Sequence, residues 1–131
     1  TDVDVMFNRT VNDYQFSTGI INVKGSMEYS DHKGLRACWG TDYPSTDTIK
    51  WKPETVGLAI LIPQQHIVSE DKANKDNYPF VVKAYCRQLS YKVAYTSANE
   101  SFGFADKNAW FEWLREWGRD VENPVRIKVN H

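Results

Sequence analysis

The sequence is short of the features that announce a chemistry. No segment approaches the roughly 18 consecutive apolar residues needed to span a bilayer, and the longest apolar stretch, Val56 to Pro63, has the length of a strand. Neither charge sign is in excess: 16 Lys and Arg stand against 17 Asp and Glu, a formal net charge of -1, with a pI near 6.3. Nothing draws such a chain to a phosphate backbone or an anionic lipid surface, so neither nucleic acid nor membrane insertion is expected. Cysteine is scarce, and Cys38 and Cys86 fit neither a metal cluster nor the disulfide framework of a small secreted domain. Both lie in apolar, strand-like runs, which leaves two readings open: two buried thiols, or one bridge between neighbouring strands.

Chemical motifs are missing as well. There is no glycine-rich phosphate loop, no paired-cysteine zinc pattern, no His-Glu-x-x-His and no Gly-x-Ser-x-Gly elbow. His32, His66 and His131 are too scattered to propose a metal site, so no metal and no cofactor is expected. The first residues lack a basic stretch followed by an apolar one and show no signal peptide. The chain opens without an initiator Met directly into a strand-like alternation, which leads us to expect an excised or processed piece of a longer protein.

What is present is a globular composition: 131 residues, 41% hydrophobic and 25% charged, enough for one β-rich domain over 1–131 with a single core. Aromatic and β-branched residues gather in about eight short runs separated by turn residues, the pattern of an antiparallel β-sandwich. Asp2 to Phe7 alternates as a half-buried strand. Tyr14 to Lys24 reads as a second strand with Gly19 inside it, and Met27 to Tyr29 as a short edge that pairs with it. Gly34 to Trp39 is a strand closed by Gly40. Val56 to Ile62, apolar almost throughout, reads as a central strand buried on both faces. The charged and amide-rich stretch from Gln64 to Pro79 reads as a solvated loop, broken by Ile67-Val68. Phe80 to Gln88 and Leu89 to Thr96 form a long strand or a tight hairpin.

One amphipathic helix is predicted near the C-terminus, packed on a sheet. Asp106 is placed to cap it ahead of Lys107, and Trp110, Trp113, Leu114, Trp117 and Val121 recur at spacings of three and four, which puts them on one face. Three tryptophans at that spacing read as packing rather than as a sugar platform. Asn123-Pro124 stops the helix, and Val125, Ile127 and Val129 alternate as a final strand.

The sharpest local feature is the polar, aromatic-bearing loop from Thr41 to Pro53 and its approaches. Stacking on the apolar face of a sugar ring needs flat aromatic surfaces, and bonding its hydroxyls needs carboxylates or amides. Trp39, Tyr43 and Trp51 supply the first, and Asp42 and Asp47 the second. The competing reading makes Trp39 and Trp51 core anchors at strand ends and the acids turn caps. His66 follows the buried strand and, with Asp42, is the acid or base candidate for any reaction on a glycan.

Five stretches of this chain carry a family resemblance. They are Phe16-Ser17-Thr18-Gly19-Ile20, the strand Val56 to Pro63, the loop with Asp71 and Asn74, the Tyr85 strand, and Trp110 to Trp117 followed by Asn123-Pro124-Val125. Together they resemble the C-terminal part of a domain-of-unknown-function family, similar to the secreted, mutarotase-like β-sandwich proteins that gut and marine Bacteroidetes use on polysaccharides. The resemblance covers most of the chain. It implies a supersandwich-like sheet layer, a secreted or periplasmic location and a role in processing glycans, acidic ones among them, and it carries over no catalytic residue. The leading expectation is therefore a carbohydrate-active β-sandwich domain that binds or processes a polysaccharide or oligosaccharide, by hydrolysis, by elimination or by binding alone. Its rival is a non-catalytic structural or protein-interaction domain of a larger secreted protein.

Overall fold

The computed structural model describes residues 1–11 and 14–122. The described chain runs β1 (Asp2–Met6), β2 (Gln15–Ile21), β3 (Met27–Ser30), β4 (Leu35–Asp42), β5 (Glu54–Leu61), a short 3-10 turn at Gln64–His66, β6 (Ile67–Glu70), β7 (Asn77–Lys83), β8 (Gln88–Ser97) and α1 (Lys107–Glu122). Two antiparallel sheets result, one ordered β1-β8-β5-β4-β3 and the other β2-β7-β6. The protein is a mainly β sandwich with one C-terminal helix.

The middle of the larger sheet is covered on both sides, which explains its apolar composition. Cys38, Leu58, Ile60 and Ile62 face the three-stranded sheet and pack with Ile20, Tyr78, Phe80 and Val82. On the opposite face, Leu35, Ala37, Ala59 and Leu61 meet Trp110, Phe111 and Leu114 of α1. Alternate residues along one strand thus serve two different cores, and a strand in that position carries no polar face.

The helix begins where the sequence places it, with Asp106 Oδ1 accepting the Ala109 backbone N–H at 2.9 Å. Its buried stripe is turned from the expected one: Trp110, Phe111, Leu114 and Gly118 are buried, while Trp113 is 39% exposed. The cause is a ring ladder. Trp113 stacks on Trp110 at 5.7 Å and on Trp117 at 5.8 Å between centroids, so each indole covers the next along the flank of the helix. Trp110 itself lies on Gly57, where an added Cβ would stand 2.6 Å from the indole Nε1.

Several strand assignments need correcting. Met27–Ser30 pairs with β4, not β2: the turn closed by Ser26 N–H to Val23 O carries the chain to the other sheet, and the partner of β2 is β7. Gly40 does not end β4, which continues through Asp42 in register with β5. The stretch from Gln64 to Pro79 is not one loop, because Ile67–Glu70 forms β6 and β7 already starts at Asn77. Proline fits inside β7 because Pro79 uses only its carbonyl toward β6, accepting from Asp71 N–H at 3.1 Å. Cys86 is exposed on the β7–β8 turn with φ 57, whereas Cys38 is a free, buried thiol, so the pair is neither bridged nor buried together. The predicted stop at Asn123-Pro124 and the strand over 125–129 lie outside the described residues.

Candidate functional site

The loop between β4 and β5 is held by its own polar groups. At its base, Thr41 and Thr55 join hydroxyls at 2.7 Å. Asp42 Oδ1 accepts the Tyr43 backbone N–H at 2.8 Å. Asp47 Oδ1 accepts from Ile49 and Lys50 at 3.1 and 3.0 Å, closing the turn that Trp51 N–H to Asp47 O completes at 3.2 Å. Each carboxylate thereby commits one oxygen to shaping the chain, and the second oxygen has no partner among the described residues.

That shaping presents aromatic surface to solvent. Tyr43 is 42% and Trp51 47% exposed, with Lys50 Nζ 5.4 Å from the Trp51 ring centroid. Ile49 at the tip is 99% exposed. Trp39 is placed differently, half-buried against the helix-side core, so it braces the foot of the loop. The structure brings Tyr43, Asp42, Asp47 and Trp51 to one end of the β4–β5 hairpin.

His66 is elsewhere. The register runs from Asp42↔Glu54 at the loop to Leu35↔Leu61 at the far end, about 23 Å at about 3.3 Å per residue, and His66 follows β5 beyond that far end. Its imidazole is buried, with Nδ1 3.0 Å from Lys83 O. Asp42 and His66 are therefore not an acid–base pair across one ligand.

The far end holds a polar cluster with no local signature in the sequence. Arg36, 3% exposed, donates from Nε to Glu28 Oε1 at 2.7 Å and from Nη1 to the carbonyls of Asp71 and Pro79, each at 2.8 Å. Its guanidinium also lies against the rings of Tyr78 and Phe80. Glu70 stands 3.5 Å from Arg36 Nε, accepts the Ser30 hydroxyl, and meets His32 Nδ1 at 3.0 Å. His32 sits at φ 57, a left-handed conformation uncommon outside glycine. The cluster ties β3 and β4 of one sheet to β6 and β7 of the other, since a guanidinium offers five fixed donors to spread across both. Only the arginine within the buried Leu35–Cys38 run could have hinted at it, because its partners come from three separate segments.

Two pKa shifts follow from position. Burial pushes the Cys38 thiol up, with backbone and Ser26 hydrogen bonds opposing it. On the exposed rim of β1, the hydrogen bond from Lys92 holds the Asp2 carboxyl below the usual range. A concavity of about 690 Å³ lies on the helix side, lined by Asp2, Asp4, Pro63, Ser90, Lys92 and Glu122, and none of the loop residues reaches it. Among the described residues no group of three His, Cys, Asp or Glu is placed to hold a metal ion, and no helix is long and apolar enough to cross a membrane.

No curated protein and no solved structure matches the chain. A family model described as a domain of unknown function, DUF4861, matches residues 1–127, and the chain therefore belongs to that family.

Proposed function

We propose that this domain binds a polysaccharide or oligosaccharide across the Thr41 to Pro53 loop, as part of a secreted or periplasmic, carbohydrate-active bacterial protein of the mutarotase-like kind. The observation that carries the reading is the half-exposure of Tyr43 and Trp51 on a loop whose turns Asp42 and Asp47 hold by accepting from the backbone N–H groups of Tyr43, Ile49 and Lys50. Leaving a large aromatic side chain in water forgoes about 1.5–3 kcal/mol of burial, and flat rings on the same loop as unengaged carboxylate oxygens suit the apolar face and hydroxyls of a sugar. The loop is open rather than enclosed, which suits several residues of a polymer. Tyr43 and Trp51 stack on the sugar, Asp42 and Asp47 accept from its hydroxyls, and Trp39 supports the loop from beneath. Asp42 is the group at this site able to exchange a proton if the domain also hydrolyses or eliminates. His66 cannot share that work with it from the opposite end of the hairpin.

Ile49 favours a second reading. A fully exposed aliphatic side chain gives a sugar little to hold but would serve a protein contact, as in a structural or interaction domain. Binding of the purified domain to a panel of neutral and acidic plant, algal and host glycans, with and without calcium, separates the two. Selective binding that weakens in Trp51→Ala supports the saccharide reading. Absence of any glycan binding, together with a stable complex lost in Ile49→Ser, supports the second.

A further inference from the structure

A polar row crosses the sheet at the foot of the aromatic loop. In the antiparallel register Asp42 stands directly opposite Glu54, so their side chains share one face of the larger sheet. Alternate residues along β5 put Glu54, Val56 and Leu58 on that same face, the one turned toward the smaller sheet. Past the end of β8 the Ala98 N–H donates to Thr55 O at 3.0 Å, which keeps the chain beside β5. There Asn99 joins the row by donating from Nδ2 to Glu54 Oε2 at 2.7 Å. Asp42, Glu54 and Asn99 thus lie across three neighbouring chain segments, about 10 Å from first to last at two strand spacings.

The row is fixed in place yet unfinished. Like charges directly opposed weaken a sheet, and among the described residues neither Asp42 nor Glu54 is in an ion pair. Each carboxylate has one oxygen held, Asp42 Oδ1 by the Tyr43 N–H and Glu54 Oε2 by Asn99. Asp42 Oδ2 and Glu54 Oε1 have no hydrogen-bond partner among the described residues. Asn99 keeps a second N–H to donate. Preset acceptors beside a donor are what the hydroxyls of a sugar require.

Beyond the row stands a further aromatic ring. Tyr95 pairs with Leu58 and so belongs to the same face. Four residues earlier on that face Tyr91 is half-buried and takes the Thr18 hydroxyl at 3.3 Å. Tyr95 has no such cover and is 77% exposed. Its level on β5 is four residues from Glu54, about 13 Å at about 3.3 Å per residue. The face therefore carries, in order, the loop aromatics, the polar row and Tyr95.

We infer that the saccharide site continues past the loop along this face, so that its ligand is a stretch of several sugars rather than one terminal unit. Glu54 and Asn99 bond the hydroxyls of a middle sugar, and Tyr95 stacks on a further one. The inference rests on the saccharide reading of the Thr41 to Pro53 loop, and the two are separable by ligand length.

The probes are cellohexaose, xylohexaose and hexagalacturonate with their three disaccharides, titrated calorimetrically into the whole chain and its Trp51→Ala, Glu54→Gln and Tyr95→Ala variants. At least one hexasaccharide is expected to bind roughly tenfold or more tighter than its disaccharide. Tyr95→Ala and Glu54→Gln each remove most of that preference and leave disaccharide binding unchanged, whereas Trp51→Ala weakens both lengths. Glu54→Gln also leaves the unfolding midpoint unchanged or raises it, because it removes an opposed charge; a residue acting only in the fold would lower it. The inference alone is overturned if Trp51→Ala weakens binding while the hexasaccharide has no advantage, or while Tyr95→Ala and Glu54→Gln bind it as wild type does. If no probe binds, or if Trp51→Ala changes nothing, the loop reading fails and the inference falls with it.

Discussion

At the Leu35–Leu61 end of the β4–β5 hairpin, a buried arginine and its carboxylates are engaged: Arg36 donates to one carboxylate and two carbonyls, and Glu70 accepts the Ser30 hydroxyl and meets His32. At the Asp42–Glu54 end, two aspartates bond only the loop that carries them, and two aromatic rings face solvent. One hairpin thus joins a polar cluster that holds two sheets together to an aromatic loop that holds nothing beyond itself. Residues that no fold requires are the ones free to meet a ligand, and the difference between the ends is open to direct measurement.

The largest effect is expected at the buried end. Arg36→Ala takes the donor from Glu28 and from the Asp71 carbonyl, one of two donors from the Pro79 carbonyl and the cation from beside Glu70, and should lower unfolding free energy by about 3–5 kcal/mol in urea. A loss below about 1 kcal/mol would mean that the cluster is not a structural clamp. Next comes the helix seat: Gly57→Ala drives a methyl into the Trp110 indole and should cost about 1–3 kcal/mol by thermal unfolding. At the loop, Asp47→Ala removes a turn cap and should cost about 1 kcal/mol or less, with loss of amide protection confined to Ile49 and Lys50.

The pH dependence sharpens the comparison further. Because burial raises the Cys38 thiol, the folded protein keeps a proton that the unfolded chain releases. This favours folding fully below the ordinary thiol range and is lost as pH rises through about 8.5 toward the folded value. Stability should therefore fall on the alkaline side, and Cys38→Ala should flatten that fall. Cys38 should also resist thiol reagents until the protein unfolds.

What could be read in the sequence was whatever rests on local pattern. The cap at Asp106, the doubly buried strand over 56–62 and the alternation of β1 all follow from periodicity or from a side chain bonding its own neighbours. What could not be read depends on partners far along the chain. β6 hides in a polar run because Glu70 is occupied by Arg36, Ser30 and His32, and β7 begins before a proline because that residue's missing N–H falls where none is needed. The aromatic character of the loop was legible, but the separation of Asp42 from His66 was set by the length of β5. The outward turn of Trp113 was set by its stacking between two other indoles.

The most direct test of the contrast is to titrate the wild-type domain, Tyr43→Ala and Trp51→Ala with the best glycan from the panel and to measure the unfolding midpoint of each. The account predicts an affinity loss of about tenfold or more, equivalent to about 1.4 kcal/mol, with stability changed by less than about 0.5 kcal/mol. Unchanged affinity, or a loss of stability large enough to explain the loss of binding, would contradict it.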